Sequence, residues 1–149
     1  MSPFLSRIHA LFRGRQNIVV SNLLRERGYH YKVAFGCSLP DVKAVARMLA
    51  EGAVEGVEPG KELAEALWAD EAIRESKLCA PMLYPRGEMD LETAERWSKT
   101  IPTHEVADVV CMYAFQFNIG QELIARWSQS PDPMQQYCAR SLSKRLNDE

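Results

Sequence analysis

Val106, Val109, Val110, Tyr113 and Phe117 recur at the spacing of one helix face, and the same period runs through most of the chain. Phe4, Leu5, Ile8, Leu11 and Phe12 form a stripe within residues 2–13, closed by Gly14. Ile18, Val19, Leu23 and Leu24 form a second within 16–27, closed by Gly28. Ser38 caps a third helix, with Pro40 in its first turn and Val42, Val45, Ala46 and Leu49 as its core stripe. Further helices are predicted over 60–69, 71–84, 90–100, 103–117, 119–130 and 132–147. Asp90, Thr103 and Asp132 occupy N-cap positions, and Pro133 suits a first helical turn. Pro81 lies inside an apolar period and should kink its helix or shorten its end. Tyr29 to Gly36 reads as an aromatic, β-leaning connector, and 51–60 as a loop. The predicted class is all-α.

A longer period lies over the short one. Trp68, Trp97 and Trp127 fall 29 and 30 residues apart. Each is followed by a cysteine on the next helical stretch, after 11 residues for Cys79 and Cys138 and 14 for Cys111. A period near 30 in a helical chain means helix pairs, each too small to bury its apolar face alone. The tryptophans then read as core anchors of each unit, with contact to nucleic acid as the other use of exposed indoles. The cysteines read as small buried residues at helix crossings.

At 149 residues the chain suits a single domain over 1–149, with an ordinary 46% apolar and 26% charged composition. No stretch reaches the roughly 18 uncharged residues of a membrane span. Arg7 and Arg13 interrupt the first apolar residues too early for a secretory signal. Cys37, Cys79, Cys111 and Cys138 lack metal-ligand spacing and read as reduced thiols of a cytoplasmic protein, so neither zinc nor a disulfide is expected. No phosphate-binding glycine loop occurs, and no cofactor is expected.

The net charge of −2 hides an asymmetry. Residues 1–32 carry Arg7, Arg13, Arg15, Arg25, Arg27 and Lys32 against Glu26 alone, and Arg140, Lys144 and Arg145 return the sign near the end. Arg13, Arg15, Arg25 and Arg27 either touch phosphates or lie on a solvated face. The basic first helix suits a cap of the stack or a membrane surface, and the cap is preferred. His9 is expected to face solvent, and Glu51 to Glu75 to form a solvated acidic face. Tyr29, His30 and Tyr31 read as a packed connector or a ligand surface.

The helix predicted over 103–117 is the unusual one. Opposite its stripe stand His104, Asp108, Cys111, Met112 and Phe115, where a surface helix would be polar. A carboxylate among sulfur, aromatic and imidazole groups needs a partner or a purpose. Asp108 is therefore either available to stabilise positive charge, or a surface residue, or bonded to a neighbouring cap or an arginine of the next repeat.

Several segments together resemble a known family. They are Phe35-Gly36-Cys37-Ser38-Leu39-Pro40-Asp41-Val42, Glu62-Leu63-Ala64-Glu65-Ala66-Leu67-Trp68, Ile73-Arg74-Glu75, Ala94-Glu95-Arg96-Trp97, Glu105-Val106-Ala107-Asp108 and the Trp127 unit. From about Phe35 to Leu146 the chain resembles the AlkD-type DNA alkylation repair proteins. The resemblance implies a right-handed superhelix of HEAT-like antiparallel helix pairs, with 35–149 as the repeats and 1–34 as basic N-terminal helices and connector. Active members of that family remove positively charged N3- or N7-alkylpurines from duplex DNA held on a concave surface. An aspartate there stabilises the oxocarbenium-like sugar and positions water.

By that resemblance Asp108 matches the catalytic aspartate. His104 stands where the family carries a DNA-packing aromatic, and Gln136 falls near the family's arginine. Arg140, Lys144, Arg25 and Arg27 are the further expected DNA contacts. With its end at Glu149, the sequence is expected to lack the later repeats of longer members. Three functions stay open. The first is a DNA-binding alkylation-repair protein, an alkylpurine glycosylase or a catalytically degenerate relative. The second is a repeat scaffold for a protein partner. The third is an enzyme acting on a small substrate around Asp108, Cys111 and Met112.

Overall fold

A computed structural model describes residues 3–29 and 31–147, so His30 lies outside the described residues. Among the described residues nine α-helices follow one another: α1 (Pro3–Arg13), α2 (Ile18–Glu26), α3 (Leu39–Ala50), α4 (Lys61–Ala69), α5 (Arg74–Leu83), α6 (Leu91–Ser98), α7 (His104–Val110), α8 (Gly120–Trp127) and α9 (Pro133–Leu146). Among the described residues there is no strand, and the all-α class holds. The ends follow local chemistry. Side chains of Ser38, Asp90, Thr103 and Asp132 accept backbone N–H groups of Asp41, Thr93, Val106 and Met134, each satisfying a first-turn donor. Pro81 sits inside α5, which ends two residues later at Leu83.

The chain divides into two compact units between Leu83 and Tyr84. In the first, α5 packs on α3 and α4, and α1 packs on α3. Ile8 and Phe12 are fully buried, as are Val42, Val45, Leu49 and Leu67. The 29–36 connector makes one parallel bridge, between Val33 and Ile73, with Val33 N–H to Ala72 O at 2.8 Å and Arg74 N–H to Val33 O at 3.0 Å.

Three expectations for this unit are corrected. His9 is buried, with Nε2 2.6 Å from Asp70 Oδ2, and Ser76 donates to the same oxygen at 2.8 Å. The α1 face that packs on the unit is thus wider than its apolar stripe. Glu75 is no part of a solvated face: it is fully buried among backbone N–H groups. On α2, Ile18 and Val19 are 74% and 64% exposed, because the helix is buried through Ser21 and Leu24 instead.

In the second unit α8 packs on α9, and α9 on α7. Trp97 and Trp127 are fully buried, and Trp68 is buried in the first unit, so all three are core residues. Phe115 meets Trp127 edge to face at 5.3 Å, and Trp127 Nε1 donates to Glu95 Oε1 at 3.1 Å. All four cysteines are buried and free.

The predicted 103–117 helix is not regular throughout. After Val110 it widens into a π-helical turn over Cys111–Phe115. The inserted residue rotates the later positions. Cys111 and Phe115, expected opposite the apolar stripe, are fully buried, whereas Tyr113 and Phe117 are only half-buried.

Candidate active site

Asp108 lies on α7 just before this π turn. Thr103 caps the helix, His104 opens it, and Asp108 follows one turn later on the same side. The facing wall is α9. Tyr137, Arg140, Ser141, Lys144 and Arg145 follow one another at helical spacing along one side of it. Together with Asp108 and Met112 they line an open cleft of about 570 Å³.

The two walls meet at Tyr137. Its hydroxyl donates to Asp108 Oδ1 at 2.8 Å. Its ring stacks on the His104 imidazole, with centres 3.9 Å apart and planes 4° from parallel. Burial, the hydrogen bond to Asp108 and the Asp108 charge push the Tyr137 phenol up to about 12. The hydroxyl therefore stays a donor at neutral pH, and the carboxylate accepts.

Cations surround this pair without neutralising it. The Arg140 guanidinium lies 5.9 Å from the Tyr137 ring centre, and Arg145 Nη2 lies 3.5 Å from the Asp108 backbone oxygen. Lys144 completes the basic edge of the cleft. Among the described residues, no ion pair or second side-chain hydrogen bond reaches the Asp108 carboxylate, and Asp108 lines the cleft. Cys111 and Cys138 pack behind it. The Cys138 thiol is pushed far up by its hydrogen bond with Cys111 and by burial, so it is a filler and not a nucleophile. Among the described residues no cluster of His, Cys, Asp or Glu could hold a metal.

The sequence-predicted site residues divide accordingly. Asp108, Arg140 and Lys144 come together in the cleft, with His104 behind Tyr137. Gln136 does not join them. It lines a second groove with Ile124, Ser128 and Ser143, which shares only Arg140 with the cleft, and its amide donates to the Ser130 carbonyl. One residue further along a helix turns a side chain by about 100°, which separates Gln136 from Tyr137. Arg25, on α2, lines a shallow groove of the first unit with Gln16, Ile18 and Asn22, and Arg27 is exposed just beyond the helix end. Sequence reasoning missed Tyr137 as a partner of Asp108 and Arg145 as a cleft residue. The signal was present in the spacing of Tyr137, Arg140, Ser141, Lys144 and Arg145 on one helix face.

Residues 22–143 match the family model described as DNA alkylation repair enzyme. The chain belongs to that family. No curated protein and no solved structure matches it. Among the described residues, no helix is long and apolar enough to cross a membrane.

Proposed function

We propose that the protein binds alkylated duplex DNA at the α7–α9 cleft and hydrolyses the N-glycosidic bond of a positively charged alkylpurine. The observation that carries this reading is Asp108, half-buried, lining one cleft with Arg140, Lys144 and Arg145 and pairing with none of them among the described residues. Family membership supports the DNA substrate. The three cations supply sites for backbone phosphates on either side of a lesion. A carboxylate alone would repel that backbone, and the cations offset it.

The chemistry asks little of the protein. The C1′–N bond breaks and its electron pair moves to the alkylated base, which leaves neutral without needing a proton. Positive charge develops on the sugar, where a fixed carboxylate stabilises it more than it stabilises the ground state. Water adds to C1′ and its proton passes through Asp108 to solvent. The products are a free base and an abasic site. No cofactor takes part.

A second reading has one observation in its favour. Ile18 and Val19 stand exposed on α2, as they would on a scaffold that contacts a protein partner. Base release from alkylated duplex DNA, abolished in Asp108→Asn, supports the glycosylase. Salt-independent DNA retention, or none, together with no base release, favours the scaffold.

A further inference from the structure

We infer that Tyr137 is a positioning residue for the Asp108 carboxylate, and that His104 holds Tyr137 in that role by ring stacking. This rests on the glycosylase reading and extends it to residues that need not touch DNA. The argument begins with what the cleft would do to a loose carboxylate. Asp108 shares it with Arg140, Lys144 and Arg145. A carboxylate free to rotate would pair with one of them, since charge-assisted hydrogen bonds are the strongest available there. Paired, it would carry no net charge to offer a developing cation. The Tyr137 hydroxyl opposes this by donating to Oδ1 at 2.8 Å, which restrains rotation of the carboxylate and leaves Oδ2 without a hydrogen bond among the described residues. A neutral donor fixes the group without cancelling its charge.

Tyr137 itself needs support, because a phenol ring can swing about two side-chain torsions. His104 supplies it. The rings lie 3.9 Å apart and within 4° of parallel. Asp132 caps α9 and Thr103 caps α7, so both rings issue from helix starts whose backbone is fixed. The family's DNA-packing position is therefore occupied in this chain by a ring already stacked on its own protein. His104 acts on the reaction through Tyr137 and then Asp108. The high phenol pKa agrees, since a hydroxyl bonded to a carboxylate resists losing its proton.

The test combines single-turnover base release from methylated duplex DNA, DNA affinity, and titration of the protein labelled with 13Cζ-tyrosine. Tyr137→Phe is expected to slow release roughly 10- to 100-fold with a much smaller change in DNA affinity, the mark of a misplaced group and not of a lost contact. His104→Ala is expected to slow it likewise, and His104→Phe, which keeps a stacking ring, to restore most of the rate. Comparison with Tyr137→Phe identifies the Tyr137 resonance. Its titration is expected to fall by about a pH unit or more in Asp108→Asn.

Wild-type rates in Tyr137→Phe, with Asp108→Asn inactive, overturn the positioning role and leave the glycosylase standing. No release by any form, wild type included, overturns the glycosylase and with it any role of Tyr137 in that reaction. A Tyr137 titration unmoved in Asp108→Asn overturns the tether whatever the activity.

Discussion

The Glu75 carboxylate receives the Gly36 N–H at 3.1 Å, and the neighbouring N–H groups of Phe35 and Cys37 bond it at 3.0 and 3.2 Å. Arg74 closes the cluster, its guanidinium 2.7 Å from Glu75 Oε2 and 3.1 Å from the Cys37 carbonyl. Both side chains are buried, so each charge depends on the other and on those amides. Glu75→Gln is therefore expected to cost about 3–5 kcal/mol in urea unfolding, as removal of one member of a buried pair does. A loss below about 1 kcal/mol would contradict the assigned role.

The same cluster explains why position 36 is glycine. Its φ is +79°, and an added Cβ would lie 2.1 Å from the Asn17 carbonyl oxygen and 2.8 Å from the Ser21 nitrogen. Those are backbone atoms and cannot swing aside. Gly36→Ala should therefore move α2 off the unit, lowering stability by more than the about 1 kcal/mol of an ordinary left-handed alanine. Thermal unfolding with retained helicity and an unchanged midpoint would contradict this.

Lys77 is the opposite case, a buried charge without such a nest. It is 3% exposed, and its Nζ finds no hydrogen-bond partner among the described residues. It lies 3.9 Å from the Trp68 ring centre and 3.9 Å from Glu71 Oε1. Burial lowers its pKa to about 8 against the carboxylates, which raise it. A folded pKa below the unfolded one means that the unfolded chain binds more protons between about 8 and 10.5. This residue's cost is full below pH 8 and is relieved as pH rises to 10.5. Lys77→Met should then stabilise the protein at pH 7 by up to about 3 kcal/mol, with the advantage shrinking toward pH 10. Equal stability of both forms at pH 7 would count against it.

The basic edge of the cleft makes a separate prediction about binding. Replacing Arg140, Lys144 and Arg145 together by alanine should weaken binding to duplex DNA and flatten its salt dependence. If each cation displaces one counterion, the slope of log K against log salt falls by about 3. An unchanged slope would place the DNA elsewhere. Gln136→Ala, which removes no charge and lies in a groove sharing only Arg140 with the cleft, should leave the slope as it is.

Much of the fold was legible in the sequence because local rules agreed with the packing. Ser38, Asp90, Thr103 and Asp132 cap where their side chains predict, and the three tryptophans expected as core anchors are buried. The failures have physical causes. Ile18 and Val19 obey helical periodicity yet stay exposed, because periodicity defines a face but not whether anything covers it. Glu75 and His9 look solvent-facing by type, and only the chain returning over 33–37 and at Asp70 supplies their partners. The π turn after Val110 has no composition signal, and past its start Phe115 is buried while Tyr113 and Phe117 are only half-buried.

The candidate site was half legible. Asp108 stood out on its own helix as a carboxylate among apolar neighbours. Its setting comes from residues about 30 positions later, and sequence spacing within one helix cannot say which turn of another will face it. Tyr137 and Gln136 are adjacent in sequence, but one bonds Asp108 and the other turns to a different groove.

The most direct measurement is release of 7-methylguanine and 3-methyladenine from methylated duplex DNA by the wild type and Asp108→Asn, prepared and assayed side by side. Comparable unfolding midpoints would establish that both are folded. The account predicts release by the wild type and a loss of about 100-fold or more in Asp108→Asn, the scale for removing a preorganised electrostatic group. Equal release by the two proteins would contradict the role of Asp108, and no release by either would contradict the glycosylase itself.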